Sequence, residues 1–188
     1  MSFIIIEGGD GTGKTTLAEE LAVQFNAEYE HVGPPRTDMT PFAEHIEYAF
    51  VLAEQYGSVV FDRFHLGCFA YGPIWRPEND IDGIGDFRRA DWELFEHLIL
   101  GRCLLILADP GWQEVERNLS GRDGSQPLPE YESDIAKVTA VYDRFRKAYE
   151  FSILDKVLYD YTDPESKGRV TAKIEEVLGW VPTSAPVT

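Results

Sequence analysis

The segment EGGDGTGKTT (7–16) places glycines, a lysine and threonines between an apolar run and a helical pattern. Its spacing, Gly-x4-Gly-Lys-Thr, is that of a phosphate-binding loop. Glycines let backbone N–H groups turn inward around phosphate oxygens, and the following helix adds partial positive charge at its N-terminus. Lys14 is predicted to reach the β- and γ-phosphates of a nucleoside triphosphate, and the Thr15 hydroxyl to bind Mg²⁺. The residues assigned to the nucleotide are Gly8, Asp10, Gly11, Gly13, Lys14, Thr15 and Thr16.

A second group of candidate residues lies in VVFDRFHLGCFAYGPIWR (59–76). Asp62 ends an apolar strand, at the carboxyl edge of the sheet where ligands of α/β proteins bind. A carboxylate there can hold Mg²⁺ through water or orient an acceptor, so Asp62 is a candidate for catalysis, metal binding and substrate binding. Arg63 offers a planar fork for a phosphate group. The pair therefore predicts the acceptor side of a phosphoryl-transfer site.

The elements that must position these residues alternate between apolar strands and helical patterns. Strands are predicted at 3–6, 28–32, 58–62, 103–109 and 156–161. Helices are predicted at 14–25, 40–56, 87–100, 111–119, 130–150 and 164–179, and a short one is predicted at 65–71. This alternation indicates a parallel sheet covered by helices on both faces, a three-layer α/β/α fold. The stretches 72–86 and 120–129 are predicted loops, and the tail 181–188 is expected to be flexible.

Composition limits the class of protein. The chain has 188 residues and no evident linker, which predicts a single domain over 1–180. The formal charge of −16 argues against a nucleic-acid partner, because such surfaces carry a basic stripe. No apolar run has the length of a membrane span, so no membrane partner is expected. Cys68 and Cys103 lie in apolar surroundings and are predicted to be buried free thiols of a soluble, cytoplasmic protein.

The two motifs together resemble the thymidylate kinase group of P-loop nucleoside and nucleotide kinases. That group shows an E-G-x-x-G-x-G-K-[ST]-T loop and a D-R-x-x-x-S-x-x-A-Y-Q segment, and the resemblance extends over roughly 3–160. It implies a P-loop NTPase fold with five parallel strands in the order 2-3-1-4-5. It also implies transfer of the γ-phosphoryl group of ATP to a nucleoside monophosphate, typically dTMP, by an enzyme that forms homodimers.

The same resemblance implies an acceptor site. Asp62 and Arg63 match the pair that contacts the acceptor and its phosphate, and Tyr71 would lie near the sugar or base. Arg76 matches a further acceptor-site arginine, and Arg36 is a counterpart of the arginine that follows strand 2.

This chain departs from the pattern in several places around the acceptor. Gly67 replaces a serine of the group, Gly72 replaces a glutamine, and 77–86 is longer and more acidic than expected. A phage-type enzyme with an altered acceptor range fits such changes.

Phosphoryl transfer needs positive charge around the moving group, and an arginine commonly supplies it. Some members of the group carry that arginine inside the phosphate-binding loop, where this chain has Gly11 and Thr12. The segment ERNLSGRDGSQP supplies Arg117 and Arg122 within a predicted lid over about 117–129. The glycines that flank Arg122 make it the more mobile of the two catalytic candidates.

The acceptor class stays open between two kinds of molecule. A monophosphate brings its own oxyanion nucleophile and needs arginines, which Arg63 and Arg76 supply. A nucleoside presents a hydroxyl and needs a carboxylate base, for which Glu30 and Asp62 are the candidates. The first is favoured. A third class, an NTP-driven switch, would need a residue that positions water, and the sequence shows no guanine-reading motif.

Two further sets of side chains could belong to the site. The histidines have no ligand spacing and are predicted to be structural or solvent-exposed, with attention to His65 because it follows the D-R pair; they are His31, His45, His65 and His97. Three aromatic residues are candidates for stacking on a base: Phe69, Tyr71 and Trp75.

Overall fold

The computed structural model describes residues 2–34, 40–75, 77, 89–120 and 134–183. Within these residues the strands form one parallel sheet in the order β2-β3-β1-β4-β5, which confirms the order that the resemblance implied. The strands are β1 (Ser2–Glu7), β2 (Glu28–His31), β3 (Ser58–Asp62), β4 (Cys103–Ala108) and β5 (Asp155–Tyr159). The five predicted strands are therefore confirmed, with ends that differ by at most two residues.

Helices cover both faces of the sheet, which confirms the three-layer α/β/α prediction. Helices α1 and α8 pack on one face, and α4, α5 and α7 on the other. The helices are α1 (Lys14–Phe25), α2 (Pro41–Glu47), α3 (Ala53–Tyr56), α4 (His65–Trp75), α5 (Arg89–Ile99), α6 (Trp112–Leu119), α7 (Ile135–Phe151) and α8 (Ser166–Leu178). A π-helical turn, Tyr48–Leu52, joins α2 to α3, so the predicted helix at 40–56 is continuous. No described helix has both the length and the apolarity to cross a bilayer.

The central strand β1 fixes where the site forms. Phe3 and Ile5 pack toward α4, α5 and α7, whereas Ile4 and Ile6 pack toward α1 and α8. All four side chains are buried, as expected for a strand covered on both faces. Ile6 pairs with Asp62 of β3, so the loop that follows β1 and the end of β3 meet at the carboxyl edge of the sheet. Candidate residues from both motifs are thereby brought together.

Helix α4 is longer than predicted, because it continues through Pro73 to Trp75. A proline inside a helix leaves the carbonyl four residues earlier without its N–H partner. Here that carbonyl belongs to Phe69, and it accepts a hydrogen bond of 2.8 Å from Nε of Arg144 on α7. The Arg144 guanidinium also lies 4.4 Å from the centre of the Phe69 ring. A side chain from a neighbouring helix thus replaces the missing backbone bond, and the prediction of a loop from residue 72 was wrong for 72–75.

Replacing Arg144 with methionine is expected to lower the free energy of unfolding by about 1–2 kcal/mol, because the Phe69 carbonyl would lose its donor. The measurement is urea unfolding followed by circular dichroism. In a Pro73→Ala background the same replacement should cost about 1 kcal/mol less, since alanine restores the backbone N–H. An equal cost in both backgrounds would show that the Phe69 carbonyl does not carry the effect.

Other sequence predictions fall partly outside the described residues. Within the predicted lid, 117–119 are the last residues of α6 and Ser120 is its C-cap, whereas 121–129 lie outside the described residues. In the tail, Thr183 donates from its backbone N–H and its hydroxyl to the Gln24 carbonyl, at 2.8 and 2.9 Å, and 184–188 lie outside. Both cysteines are free and buried, as predicted.

Candidate active site

The loop between β1 and α1 has the backbone of a phosphate cradle. Gly8 and Gly13 have φ angles of 149° and 81°, a region that favours glycine. A Cβ on Gly8 would lie 2.8 Å from the Ala108 carbonyl oxygen, and one on Gly13 would lie 3.0 Å from the Tyr161 ring. Gly13 also precedes α1 without a capping side chain, which leaves the first N–H groups of the helix for an anion. The loop therefore fits the nucleotide phosphates.

Lys14 is folded back over this loop. Its Nζ donates to the Gly9 carbonyl at 3.0 Å and lies 3.6 Å from a carboxylate oxygen of Asp10. Burial lowers the pKa of Lys14 and the nearby Arg63 lowers it further, while the carboxylates of Asp10 and Asp62 raise it. The ammonium group thus lies inside the cradle, with neighbours of both charges.

Three donors converge on a single oxygen of Asp62. Its Oδ2 accepts hydrogen bonds from the Thr15 hydroxyl at 2.7 Å and the Tyr29 hydroxyl at 3.2 Å, and it lies 3.0 Å from Nδ1 of His31. The other oxygen, Oδ1, is buried and has no hydrogen-bond partner among the residues that the structure describes. Burial raises the pKa of Asp62, but the bonds from Thr15 and His31 and the charge of Lys14 leave it below its ordinary value. An anionic carboxylate beside the Thr15 hydroxyl is a donor set that suits Mg²⁺.

Arg63, the next residue, has its side chain in a different place. Its backbone is left-handed, with a φ of 69°, and its N–H donates to the Ile6 carbonyl at 2.9 Å. The guanidinium bonds to the Asp10 carboxylate and lies 5.5 Å from the centre of the Tyr71 ring. The Tyr71 hydroxyl donates to the other Asp10 oxygen at 3.1 Å, and burial keeps the pKa of Tyr71 well above its ordinary value. Asp10 therefore joins the phosphate-binding loop to α4.

A cavity of about 320 Å³ opens beside these groups, within the size range of small-molecule sites. Asp10, Arg63 and Tyr71 make its charged end. The buried His45 also lines it, with its ring edge-on to Phe64 at 4.6 Å. The remaining walls are formed mainly by apolar side chains: Val32, Pro34, Phe64, Cys68 and Trp75. A molecule with one anionic end and one flat apolar part fits this lining.

The arginines predicted for the lid and the acceptor site are not found beside the cavity among the described residues, apart from Arg63. Arg117 pairs with Glu114 at 2.8 Å on the exposed side of α6. The next residue, Asn118, contacts the phosphate-binding loop instead, because its Nδ2 donates to the Gly11 carbonyl and to the Tyr161 hydroxyl, both at 2.7 Å. Three arginines assigned to the site lie outside the described residues: Arg36, Arg76 and Arg122.

Among the remaining side chains, His65 is buried in the core with its Nε2 3.0 Å from Glu96, and it does not line the cavity. Of the aromatic candidates, Tyr71 and Trp75 line the cavity, whereas Phe69 belongs to the core.

Sequence reasoning missed several residues of the site. Tyr29 and His31 share one face of β2, and His31 pairs with Asp62 across the two strands. Their alternation at the carboxyl end of a predicted edge strand was the signal that could have indicated them. Nothing in the local pattern indicated Phe64, His45 or Asn118.

Comparisons with known proteins bear on the fold of the chain. No protein-family model matches the chain, and no curated protein sequence matches it either. Among solved structures it is similar to the YorR protein of Bacillus subtilis in complex with phosphorylated GDP, with a TM-score of 0.68 and 16% identity over 93% of this chain and 97% of that one. It is also similar to deoxyadenosine kinase of M. mycoides with dCMP and dCDP bound (TM-score 0.56, 14% identity, 93% and 99% covered). A third similar structure is thymidylate kinase of Candida albicans (TM-score 0.55, 15% identity, 93% and 91% covered).

Proposed function

We propose that this protein, which has the thymidylate kinase-like P-loop kinase fold, is an enzyme that transfers the γ-phosphoryl group of Mg·ATP to a nucleoside monophosphate. The acceptor is dTMP or a related deoxynucleoside monophosphate, and the product is its diphosphate. One observation carries this proposal. Asp62 contacts Thr15 at the phosphate-binding loop, whereas its neighbour Arg63 lines the adjoining cavity. Asp62 would therefore bind the metal ion, and the next residue, Arg63, would bind the acceptor.

On the metal side, Thr15 and Asp62 would hold Mg²⁺, and the buried Oδ1 of Asp62 is available for it. Bound Mg²⁺ neutralises charge on the β- and γ-phosphates and orients the group that is transferred. The N–H groups at the start of α1 would bind the phosphates, and Lys14 would move its ammonium from the Gly9 carbonyl to them. A lid arginine, Arg122 or Arg117, would add charge at the transferring group.

On the acceptor side, the cavity favours a monophosphate over a nucleoside. Arg63 lines the cavity, and although one of its terminal nitrogens bonds to Asp10, a guanidinium has further N–H donors for a phosphate. Of the carboxylates proposed as a base for a nucleoside hydroxyl, neither Glu30 nor Asp62 lines the cavity. Asp10 does line it, but Arg63 and Tyr71 already occupy both of its oxygens. The base of the acceptor would lie between the apolar walls, near Phe64 and His45.

An ADP-release assay with ATP and Mg²⁺ tests the proposal against the four deoxynucleosides and their 5′-monophosphates. Turnover with monophosphates alone is expected. Turnover with nucleosides alone would replace the proposal with a nucleoside kinase, and Glu30 would be the next residue to mutate. ATP hydrolysis that no acceptor accelerates would favour the NTP-driven switch.

Replacing His31 with alanine is expected to raise the Mg²⁺ concentration for half-maximal activity about tenfold, because a partner that orients Asp62 is lost. The same change should weaken Mn²⁺ binding to the ATP complex, measured by electron paramagnetic resonance. His97→Ala is the matched control, since His97 bonds to the Glu93 carbonyl on the exposed side of α5. Equal Mg²⁺ requirements for the His31 and His97 variants would contradict this role.

A further inference from the structure

Glu7, the last residue of β1, is fully buried and bonds to the start of α4. Its Oε1 accepts the backbone N–H groups of Phe64 at 2.9 Å, Leu66 at 2.8 Å and Gly67 at 3.3 Å. The first N–H groups of a helix have no partner within it, and they carry partial positive charge. A side chain of the protein therefore occupies the place at this helix end where an anion would otherwise bind.

The turn between β3 and α4 contains Arg63, whose left-handed backbone is unfavourable for a residue with a side chain. Two consecutive residues of β1 hold this turn. The Ile6 carbonyl accepts the Arg63 N–H, and the Glu7 carboxyl accepts the N–H groups that follow. One turn further along α4, Tyr71 joins Arg63 on Asp10. The position of both cavity side chains thus depends on this turn.

Only one of the two carboxyl oxygens of Glu7 accepts hydrogen bonds from the described residues. Its Oε2 is buried without a hydrogen-bond partner in the described parts of the chain, and it lies 3.9 Å from the place that a Cβ on Gly67 would take. Burial raises the pKa of Glu7 to about 8, although the three backbone N–H groups and Arg63 lower it. Glu7 is therefore mainly a neutral carboxyl group near pH 7, and a glutamine of the same shape can accept the same three bonds.

We propose that Glu7 is a positioning residue for the acceptor site, which holds the turn at Arg63 and the start of α4 so that Arg63 and Tyr71 reach Asp10. The inference deepens the proposed function and rests on it, because the acceptor is the molecule that Arg63 binds. It also explains why the acceptor phosphate would be bound by the Arg63 side chain and not by backbone N–H groups at the start of α4. Three of the N–H groups at this helix end already donate to Glu7 and are closed to a substrate phosphate.

Glu7→Met tests the proposal, with Glu7→Gln as the matched variant. Methionine keeps the length of the side chain and removes the acceptor oxygen. We expect the acceptor KM of the methionine variant to rise about tenfold while the ATP KM changes less than about twofold. Glutamine should restore the acceptor KM to within about threefold of the wild-type value. Equal changes in both KM values, or no rescue by glutamine, would overturn the proposal.

A double-mutant cycle asks whether Glu7 acts through Arg63. In an Arg63→Ala background, Glu7→Met should change the acceptor KM by less than about twofold, because the group that it positions is already gone. An unchanged, roughly tenfold effect in that background would show that Glu7 acts by another route, and would overturn the proposal.

Amide hydrogen exchange separates this proposal from the proposed function, because it needs no acceptor. The N–H groups of Phe64 and Leu66 should exchange slowly in the wild-type protein and the Glu7→Gln variant, and at least about tenfold faster in Glu7→Met. The Gly67 N–H also donates to the Phe64 carbonyl at 3.2 Å, so its exchange should change less. If no acceptor in the panel reacts, the proposed function fails, while the exchange rates still decide whether Glu7 holds the turn. If Glu7→Met does not fold, Glu7→Asp replaces it, since its shorter carboxylate does not reach all three groups. Wild-type exchange at both Phe64 and Leu66 in the variant would overturn the proposal.

Discussion

Replacing Lys14 with methionine is expected to lower kcat about a thousandfold, because charge would be lost from the group that faces the transferred phosphoryl. Methionine keeps the aliphatic volume of the buried side chain, so the fold should survive the change. Burial lowers the pKa of Lys14 because a buried charge is unfavourable, and methionine removes that cost. The measurement is initial-rate ADP release at saturating ATP, alongside a thermal melt of the same preparation.

Lys167→Met is the control for that experiment, because Lys167 is half exposed and pairs with Glu20 on the surface. Its kcat should equal that of the wild-type protein. A Lys14 variant that keeps kcat within about tenfold of wild type would remove the phosphate-binding role of the loop, whatever its melting temperature.

Arg63→Ala is expected to raise the acceptor KM about a hundredfold and to leave the ATP KM within about threefold. In the proposed function the guanidinium, which lines the cavity, faces the acceptor phosphate, whereas Lys14 and the start of α1 bind the phosphates of ATP. Arg63→Lys should recover only part of the loss, since an ammonium keeps the charge but not the planar fork. Steady-state kinetics with the best acceptor of the panel measures both constants.

Arg89→Ala provides a surface comparison, because Arg89 is exposed on α5 and pairs with Glu93. It should leave both KM values unchanged. An acceptor KM that is the same in the Arg63 and Arg89 variants would place the acceptor outside this cavity.

Much of the fold follows from short-range sequence patterns. The predicted limits of α1 and β3 match the structure at both ends, because each of these elements is marked by apolar spacing and by glycine, asparagine or a charged residue at its ends. The phosphate-binding loop could also be predicted from a short-range pattern, because the spacing of its glycines indicates its backbone conformation. Asp62 and Arg63 were indicated for the same reason, as polar residues that follow an apolar strand directly.

The rest of the site depends on contacts between distant parts of the chain. His31 and Asp62 lie 31 residues apart, and Glu7 lies 57 residues from the first N–H that it accepts. No local spacing encodes such pairs, because strand order and register decide them. The continuation of α4 through Pro73 could not be predicted for the same reason. The donor that replaces the missing backbone N–H comes from Arg144, 75 residues from Phe69.

The buried carboxyl group at the end of β1 also makes folding a proton-uptake reaction. Burial raises the pKa of Glu7 from 4.5 to about 8, so between these values the folded protein keeps a proton that the unfolded chain has released. Stability from this group is therefore fullest below about pH 4.5 and is lost as the pH rises toward about 8.

Other carboxylates have the opposite effect. Although burial raises their pKa values, hydrogen bonds hold those of Asp62, Glu96 and Asp109 below the ordinary range. Their contribution is present above that range and is lost as the pH falls. Acid thus weakens the fold through these three carboxylates, and a rise in pH toward about 8 weakens it through Glu7.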